Sequence, residues 1–357
     1  MMVGSAEGPA AGAMLHLERV LDSLHEGWDR DARLVEEARR LSSAYTDTRT
    51  DTRQIDKDAA ASVAYLAHFG PRAIAAVSYA ARHAARLPES VVDVGAGSGA
   101  SALVLAMGGV KKLHLIDESA AALHRARTVL QGTGATLTTE VARLQDARPR
   151  GDADGLLCAF AFGELADAPS AAWDALRRLA PKARLGVLVD AGDRPRARRL
   201  QQLRDVLAAG DDAAVAVLGP CPHRDPCPAL LRERDWCHSR IEKCLPPRLA
   251  RFAAAVGRDD DKMSLSYLAI SWGGADARPT PSVLVIGEPV KDKGRVRVPV
   301  CGPGGLRFVQ ALKRHREVHD ALLALPRGTR LVPTVAAHAE HGVAHADATT
   351  AISLVSD

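Results

Sequence analysis

The sequence predicts an α/β protein built around a parallel, doubly wound sheet, and three observations carry this prediction. Short apolar runs alternate with segments of helical periodicity between residues 90 and 219, a pattern typical of strands joined by crossover helices. The first apolar run ends in a glycine-rich turn. Hydrophobic residues make up 47% of the 357 residues, which is enough for a large buried core. We therefore expect a Rossmann-like domain in the middle of the chain.

The elements of this domain are predicted in chain order from the apolar runs and the periodic segments between them. Strands are expected at 91–94, 112–116, 136–141, 155–160, 185–189 and 213–218. Helices are expected at 101–107, 118–130, 170–179 and 196–209. Because strands alternate with helical segments, the strands should run parallel.

The segments on either side differ in character. Residues 1–12 are expected to be disordered, and 13–89 to form a helical N-terminal region, since Leu17, Val20, Leu21 and Leu24 recur at helical spacing. Residues 90–219 form the Rossmann-like domain. A cysteine-rich module is expected at 220–330, with strands at 264–270, 282–286 and 295–300, a β-hairpin turn at 291–294 and a helix at 306–325. Residues 331–357 give no fold signal and are assigned as a tail.

Composition and charge narrow the class of protein. No apolar run approaches the roughly 20 residues that span a bilayer, and the N-terminus does not resemble a signal peptide. We therefore expect a cytoplasmic protein without a membrane partner. The net charge is +4, but residues 194–251 carry twelve Lys and Arg against seven Asp and Glu. This regional excess favours an acidic partner such as nucleic acid.

A candidate cofactor loop follows the first predicted strand. Asp93, Gly95, Gly97 and Gly99 lie between that strand and the next helix, where glycines let the backbone approach a nucleotide. Asp117 ends the second strand, where its carboxylate can accept hydrogen bonds from both ribose hydroxyls.

Two cofactors compete for this loop. The glycine spacing also satisfies a relaxed dinucleotide fingerprint, but the acidic Asp93 favours S-adenosylmethionine. Asp146, after the third strand, lies where an adenine amine would be reached, although a surface carboxylate is an equally good interpretation. No catalytic motif follows the fourth strand, where the residues run from Cys158 to Leu165.

A second candidate site is a cluster of cysteines. Cys221, Cys227 and Cys237 lie within seventeen residues of a polar, proline-rich segment, and either Cys244 or Cys301 could complete a set of four. In a reducing compartment such a cluster favours metal binding over disulfides. The gaps of five and nine residues suit an iron–sulfur cluster better than structural zinc, which usually has ligands two to four residues apart. Zinc remains the alternative, especially if His223 or His238 is a ligand.

The combination of motifs resembles the methyltransferase-like family of small-ribosomal-subunit assembly proteins, whose mitochondrial members associate with the maturing small subunit. The resemblance extends from about residue 41 to 316. It depends on the glycine loop and on the sequences at 162–165, 220–228, 236–238, 266–268 and 300–302.

The resemblance implies a four-iron–four-sulfur (4Fe–4S) cluster on Cys221, Cys227, Cys237 and Cys301, with Cys244 outside the site. It also implies binding to small-subunit ribosomal RNA (rRNA). The chain departs from the family after the fifth strand, where Asp190-Ala191-Gly192 replaces a Glu-Pro-Gly turn.

These observations favour a small-subunit assembly or translation factor that binds rRNA and S-adenosylmethionine and carries the cluster. The alternative is an active S-adenosylmethionine-dependent rRNA methyltransferase with an unidentified target base. A redox or iron sensor that gates translation through the cluster is a third hypothesis.

Overall fold

The structure is a computed structural model that describes residues 8–46, 59–165, 168–210, 215–257, 261–272, 282–333, 342–347, 350 and 352–354. Residues 1–7 of the segment predicted to be disordered lie outside this set, as do 334–341, 348, 349, 351 and 355–357 of the predicted tail. Residues 9–12 of the same N-terminal segment are helical, because α1 begins at Pro9. No helix in the described ranges is long and apolar enough to cross a membrane.

Nine α-helices are described. They are α1 Pro9–Leu24, α2 Ala32–Thr46, α3 Ala59–Ala81, α4 Ala100–Met107, α5 Ala120–Leu130, α6 Pro169–Leu179, α7 Arg194–Ala209, α8 Pro247–Val256 and α9 Arg316–Leu323. The N-terminal helices do not form a separate core. Leu17 of α1 and Ile74 of α3 are buried in the same hydrophobic cluster as Leu103 of α4 and Leu115 of the central sheet.

The central sheet contains eight strands. They are β1 Ser90–Val94, β2 Lys112–Asp117, β3 Thr136–Val141, β4 Gly155–Ala159, β5 Leu185–Ala191, β6 Val215–Gly219, β7 Ser239–Glu242 and β8 Lys262–Trp272. Their order is β3-β2-β1-β4-β5-β8-β6, with β7 beside β8. The first five strands are parallel, which is the Rossmann-like arrangement that the sequence predicts.

The prediction of an all-parallel sheet is wrong at one edge. β8 is antiparallel to both β5 and β6, so the sheet is mixed. β8 has an almost continuous buried run from Leu265 to Trp272 and therefore has to be covered on both faces. Because β7 and β8 belong to this sheet, residue 220 does not mark the boundary between the Rossmann-like domain and a cysteine-rich module.

A second sheet follows in the chain. Its strands are β9 Val283–Val285, β10 Val290–Asp292, β11 Arg295–Gly302, β12 Gly305–Leu312, β13 Arg330–Pro333, β14 Val343–Ala346 and β15 Ile352–Leu354. A hairpin is present, since β10 pairs with β11, but its turn is shorter than the predicted 291–294, because Lys291 and Asp292 belong to β10 and Asp292 lies opposite Arg295. The tail also contributes to the fold, because β14 pairs with β12 and β15 with β13.

The helix predicted at 306–325 is wrong in its first half. Gly302 pairs with Gly305 across a tight turn, and Gly304 and Gly305 have φ values of 80° and 95°. This turn sends residues 305–312 back along β11 as a strand, and only Arg316–Leu323 is helical. Local periodicity could not reveal this, because the strand is stabilised by pairing with β11 and β14.

Candidate functional site

The glycine loop lies at the carboxyl end of β1, as predicted. Gly95, Gly97 and Gly99 have φ values of 69°, 52° and 80°, which glycine adopts without strain. The Gly97 amide donates to Asp117 Oδ2 at 2.8 Å, and the Ser119 amide donates to Asp117 Oδ1 at 2.9 Å. The structure thus brings the glycine loop and Asp117, which is predicted to bind the ribose, together at one edge of the sheet.

Asp93 lies beneath this loop and is completely buried. Neither of its carboxyl oxygens has a hydrogen-bond partner among the described residues. Burial, together with the negative charge of Asp117, raises the pKa of Asp93 to about 8. The protonated form of Asp93 is therefore favoured at neutral pH, and its role is not that of an exposed ligand carboxylate.

Two further carboxyl groups lie at the ends of β4 and β5. Asp190 accepts hydrogen bonds from the amides of Gly163 at 2.8 Å and Ala191 at 2.9 Å, and Arg196 Nε lies 3.5 Å from its Oδ1. Burial raises the pKa of Asp190 to about 6 despite these contacts. Partial burial, followed by the charge of Asp190, raises the pKa of Glu164. These groups form an acidic wall next to the glycine loop.

Asp146 is the third carboxylate among the predicted cofactor-binding residues. It lies in an exposed turn beyond β3, and its amide donates to the Arg143 carbonyl at 3.0 Å. It shares the carboxyl edge of the sheet with Asp117, since Asp117 pairs with Val141 at the end of β3. Contact with adenine by Asp146 remains a prediction.

The four predicted cysteine ligands line one cavity of about 290 Å³. Cys221, Cys227 and Cys237 approach it from the segment between β6 and β7, and Cys301 approaches it from β11 of the second sheet. Cys244 is exposed and is not among the residues that line this cavity. The fold therefore brings together thiols that lie up to 80 positions apart in the sequence.

The pKa values of all four cavity thiols are raised above the ordinary value of a thiol. Burial is the largest cause, and it raises the pKa of Cys227 to about 11 and that of Cys301 to about 12. The pKa values of Cys221 and Cys237 are also raised, chiefly by burial. His223 Nε2 lies 3.2 Å from Cys301 Sγ.

Four thiols and a neighbouring imidazole have the donor chemistry that zinc or an iron–sulfur cluster requires. Their positions are not those of a formed metal centre. Among the described residues, no group of three or more His, Cys, Asp or Glu side chains is arranged to hold a metal ion. The donor set fits, but the predicted cluster is not shown.

On α7, the buried Arg204 pairs with the partly buried Asp205, and the two side chains hold the cysteine segment in place. Arg204 is 1% exposed, and its guanidinium donates to the carbonyls of His223 and Asp225 and to Asp205 Oδ1 at 2.7 Å. The Asp205 carboxylate accepts the Cys227 amide at 2.9 and 3.0 Å. These two residues fix the backbone of the loop between Cys221 and Cys227 at His223, Asp225 and Cys227.

Arg204 and Asp205 are not among the residues predicted from the sequence. A signal was present, because Arg204 lies four residues after Leu200 and seven after Ala197, which are both buried on α7. A charged residue at a position that helical periodicity assigns to the core needs a buried partner. Which partner it has could be read only from the structure.

Several solved methyltransferase structures are similar to this chain at low sequence identity. The plantazolicin methyltransferase BpumL, in complex with monoazolic desmethylPZN analog and SAH, is 12% identical, with 72% of this chain and 100% of that chain covered and a TM-score of 0.40. A ribosomal protein L11 methylase from Lactobacillus delbrueckii subsp. bulgaricus is 16% identical, with coverage of 57% and 79% and a TM-score of 0.34. A SAM dependent methyltransferase from Aquifex aeolicus is 19% identical, with coverage of 39% and 70% and a TM-score of 0.29.

Comparison with curated proteins gives no match. The comparison with protein families does give a match. The model of the mitochondrial small ribosomal subunit Rsm22 family matches residues 59–322, which include the glycine loop, the acidic wall and all four cavity cysteines. The resemblance noted from the motifs is confirmed, and this chain belongs to the mitochondrial small ribosomal subunit Rsm22 family.

Proposed function

We propose that this protein is a cytoplasmic assembly factor of the small ribosomal subunit that binds S-adenosylmethionine and carries a 4Fe–4S cluster. The observation that carries this proposal is the meeting of Cys221, Cys227, Cys237 and Cys301 in one cavity beside the Rossmann-like sheet. Membership of a small-subunit family supports the ribosomal role.

The glycine loop supports the choice of methyl donor. A Cβ atom added at Gly97 would meet no atom within 4 Å, so the space beside this residue is open to a ligand. Asp117 would bind the ribose hydroxyls while it keeps the Gly97 amide oriented. Residues 93–99 would therefore bind the donor through the backbone, and Asp146 would contact the adenine.

In the cavity, the four cysteines would hold the cluster, which supplies thiolate–iron bonds that stabilise the fold. Arg204 would offset part of the negative charge of the thiolates, since it already stabilises the charged form of Cys221. Because ligation requires deprotonated thiols, the raised pKa values imply that loading is weakened at low pH. Zinc on the same residues is the competing occupant.

The proposed partner is small-subunit rRNA. The helix α7 contains five arginines and a single aspartate, and it contacts both the acidic wall and the cysteine segment. Phosphate contacts would supply most of the affinity, so binding should weaken steeply as salt concentration rises.

The decisive experiment is anaerobic purification of the full chain, followed by iron, sulfide and zinc analysis. We expect a brown protein with iron and acid-labile sulfide. The variants Cys221→Ser, Cys227→Ser, Cys237→Ser and Cys301→Ser should each lose the cluster. Cys244→Ser is the matched control and should retain it. Stoichiometric zinc without iron would show that the site binds zinc and not the cluster. Loss of the metal in Cys244→Ser would overturn the ligand set.

A second candidate function is methyl transfer to rRNA. It is favoured by Asp190, whose pKa of about 6 suits a base or acid near neutral pH. Incubation of small subunits from a deletion strain with labelled S-adenosylmethionine would test it. Incorporation that is lost in Asp190→Asn but kept in Asp193→Asn would establish an enzyme, whereas no incorporation would favour the assembly function alone.

A further inference from the structure

A surface feature of the segment between Cys227 and Cys237 is not explained by metal binding. Residues 228–236, which we call the Trp236 loop, place several side chains in solvent. Leu231 is 83% exposed and Trp236 is 38% exposed, and Arg232 and Arg234 are exposed as well. The other three tryptophans, Trp28, Trp173 and Trp272, are at most 8% exposed.

The Trp236 loop is rigidly held despite this exposure. Arg198 of α7 donates to the carbonyls of Ala229, Arg232 and Asp235 at 3.1, 2.8 and 2.7 Å. The ring of Trp236 is also fixed, because its Nε1 donates to the Gly192 carbonyl at 2.9 Å. One side of the indole lies against His238, with 6.0 Å between the ring centroids. An exposed aromatic ring fixed in orientation loses little entropy on binding a flat partner.

The Trp236 loop adjoins both candidate sites. Gly192, which orients Trp236, follows directly after β5, at the edge where the glycine loop and Asp190 lie. Cys227 and Cys237, which bound the loop, line the cavity. The charges of the loop itself balance, and α7, which supports it through Arg198, has five arginines and one aspartate. An aromatic platform beside a basic helix is an arrangement on which unpaired bases of single-stranded RNA stack.

We infer that the Trp236 loop is a seat for single-stranded RNA, in which an unpaired base stacks on the indole of Trp236 and α7 attracts the flanking phosphates. This inference rests on the proposed function, because it specifies how that rRNA is bound. It places an unpaired segment of the RNA between the cysteine cavity and the methyl-donor edge of the sheet.

Tryptophan fluorescence tests the inference directly, since Trp236 is the only tryptophan open to solvent. The holoprotein is titrated with an oligouridylate of about ten nucleotides, with a small-subunit rRNA fragment and with poly-glutamate. We expect both RNAs to quench the emission and poly-glutamate to leave it unchanged. Trp236→Ala should weaken RNA binding about tenfold, while Trp236→Phe should restore most of the affinity through its remaining ring.

The controls separate loss of stacking from loss of fold. Cluster absorbance and thermal melting are measured for every variant. Leu15→Ala, which removes an exposed apolar side chain of α1, should bind RNA like the wild type. Quenching by poly-glutamate to the same extent would overturn base stacking in favour of an acidic protein partner. Full affinity of a folded, loaded Trp236→Ala would also overturn the inference and leave rRNA binding intact. Failure of the wild type to bind the rRNA fragment would instead overturn the proposed function.

Discussion

Gly95 and Gly97 are two residues apart in the same loop, yet the structure gives them different roles. Both have positive φ. A Cβ at Gly95 would collide with the Cβ of Ala161, whereas a Cβ at Gly97 would meet open space. Gly95 is thus required by packing between the ends of β1 and β4, whereas the space in front of Gly97 is open to a ligand.

This difference predicts separable effects of substitution. Gly97→Val should cost about 1–2 kcal/mol of stability through its left-handed backbone and abolish binding of S-adenosylmethionine. Gly95→Ala should destabilise the fold more strongly, because the clash with Ala161 adds to the strain of the left-handed backbone. Calorimetric titration and thermal melting of both variants measure the two effects. Tight binding by Gly97→Val, or NAD bound in preference to S-adenosylmethionine, would contradict the cofactor assignment.

Asp93 predicts a specific pH dependence of stability. Its pKa is about 8 in the folded protein and near 3.8 when unfolded, so between these values the folded state holds one more proton. The free energy of unfolding contributed by Asp93 therefore falls as pH rises from about 4 to about 8, and is constant above that. In Asp93→Asn this dependence should disappear, and the variant should gain stability relative to wild type as pH increases. Denaturant unfolding at several pH values checks this. Parallel curves for the two proteins would show that Asp93 is not buried as a carboxylic acid.

At the residue scale, the sequence predicted those parts of the site whose neighbours in sequence explain them. The glycine loop and Asp117 follow from the strand–turn–helix pattern. The burial of Asp93 and the hydrogen bond from the Gly163 amide to Asp190 depend on which strands are adjacent, and no local pattern contains that information.

At the scale of elements, prediction succeeded where the helix or strand is decided locally. The bounds of β3 match at both ends, and those of β1, β2, β4 and β5 differ by one or two residues. β12 was mistaken for a helix because its pairing with β11 is set by the turn at Pro303-Gly304. β8 was assigned to the wrong module because an antiparallel return to the central sheet leaves no mark in its own sequence.

The support that α7 gives to the cysteine segment can be tested by substitution of Arg204. Arg204→Gln should cost about 3 kcal/mol, because it leaves two loop carbonyls and Asp205 without their buried partner. It should also lower cluster content, since the segment between Cys221 and Cys227 loses its support. Arg194→Gln, an exposed change on the same helix, is the matched control and should stay within about 0.5 kcal/mol of the wild type. Unfolding curves and iron analysis of the two variants provide the test. Wild-type stability and iron content in Arg204→Gln would show that the loop is held by other contacts.

At the scale of the whole molecule, the cysteine cavity lies between the two sheets. It is lined by Leu265 and Tyr267 of β8 on one side and by Leu284 and Cys301 of the second sheet on the other. Among the described residues, polar contacts between these parts include Arg327 with the His238 carbonyl, Gly304 with Asp225 and Arg330 with the Leu218 carbonyl, each at 2.8 Å. A cluster ligated from both sides would therefore act as a cross-link, and its binding free energy would also stabilise the docking of the second sheet.

This architecture predicts that loss of the cluster harms subunit assembly more than loss of the methyl donor. Cys301→Ser should release the second sheet from α7 and the Trp236 loop, so that the surfaces proposed to bind rRNA are no longer presented together. Gly97→Val should leave that arrangement intact, because the glycine loop lies at the carboxyl edge of the central sheet and contributes no residue to the lining of the cavity. Small-subunit precursors on sucrose gradients should accordingly accumulate in cells that carry Cys301→Ser and be less abundant with Gly97→Val, while Cys244→Ser should match the wild type. The reverse order, or normal subunit profiles with one missing rRNA methyl group, would mean that methyl transfer is the essential activity and that the cavity serves the enzyme.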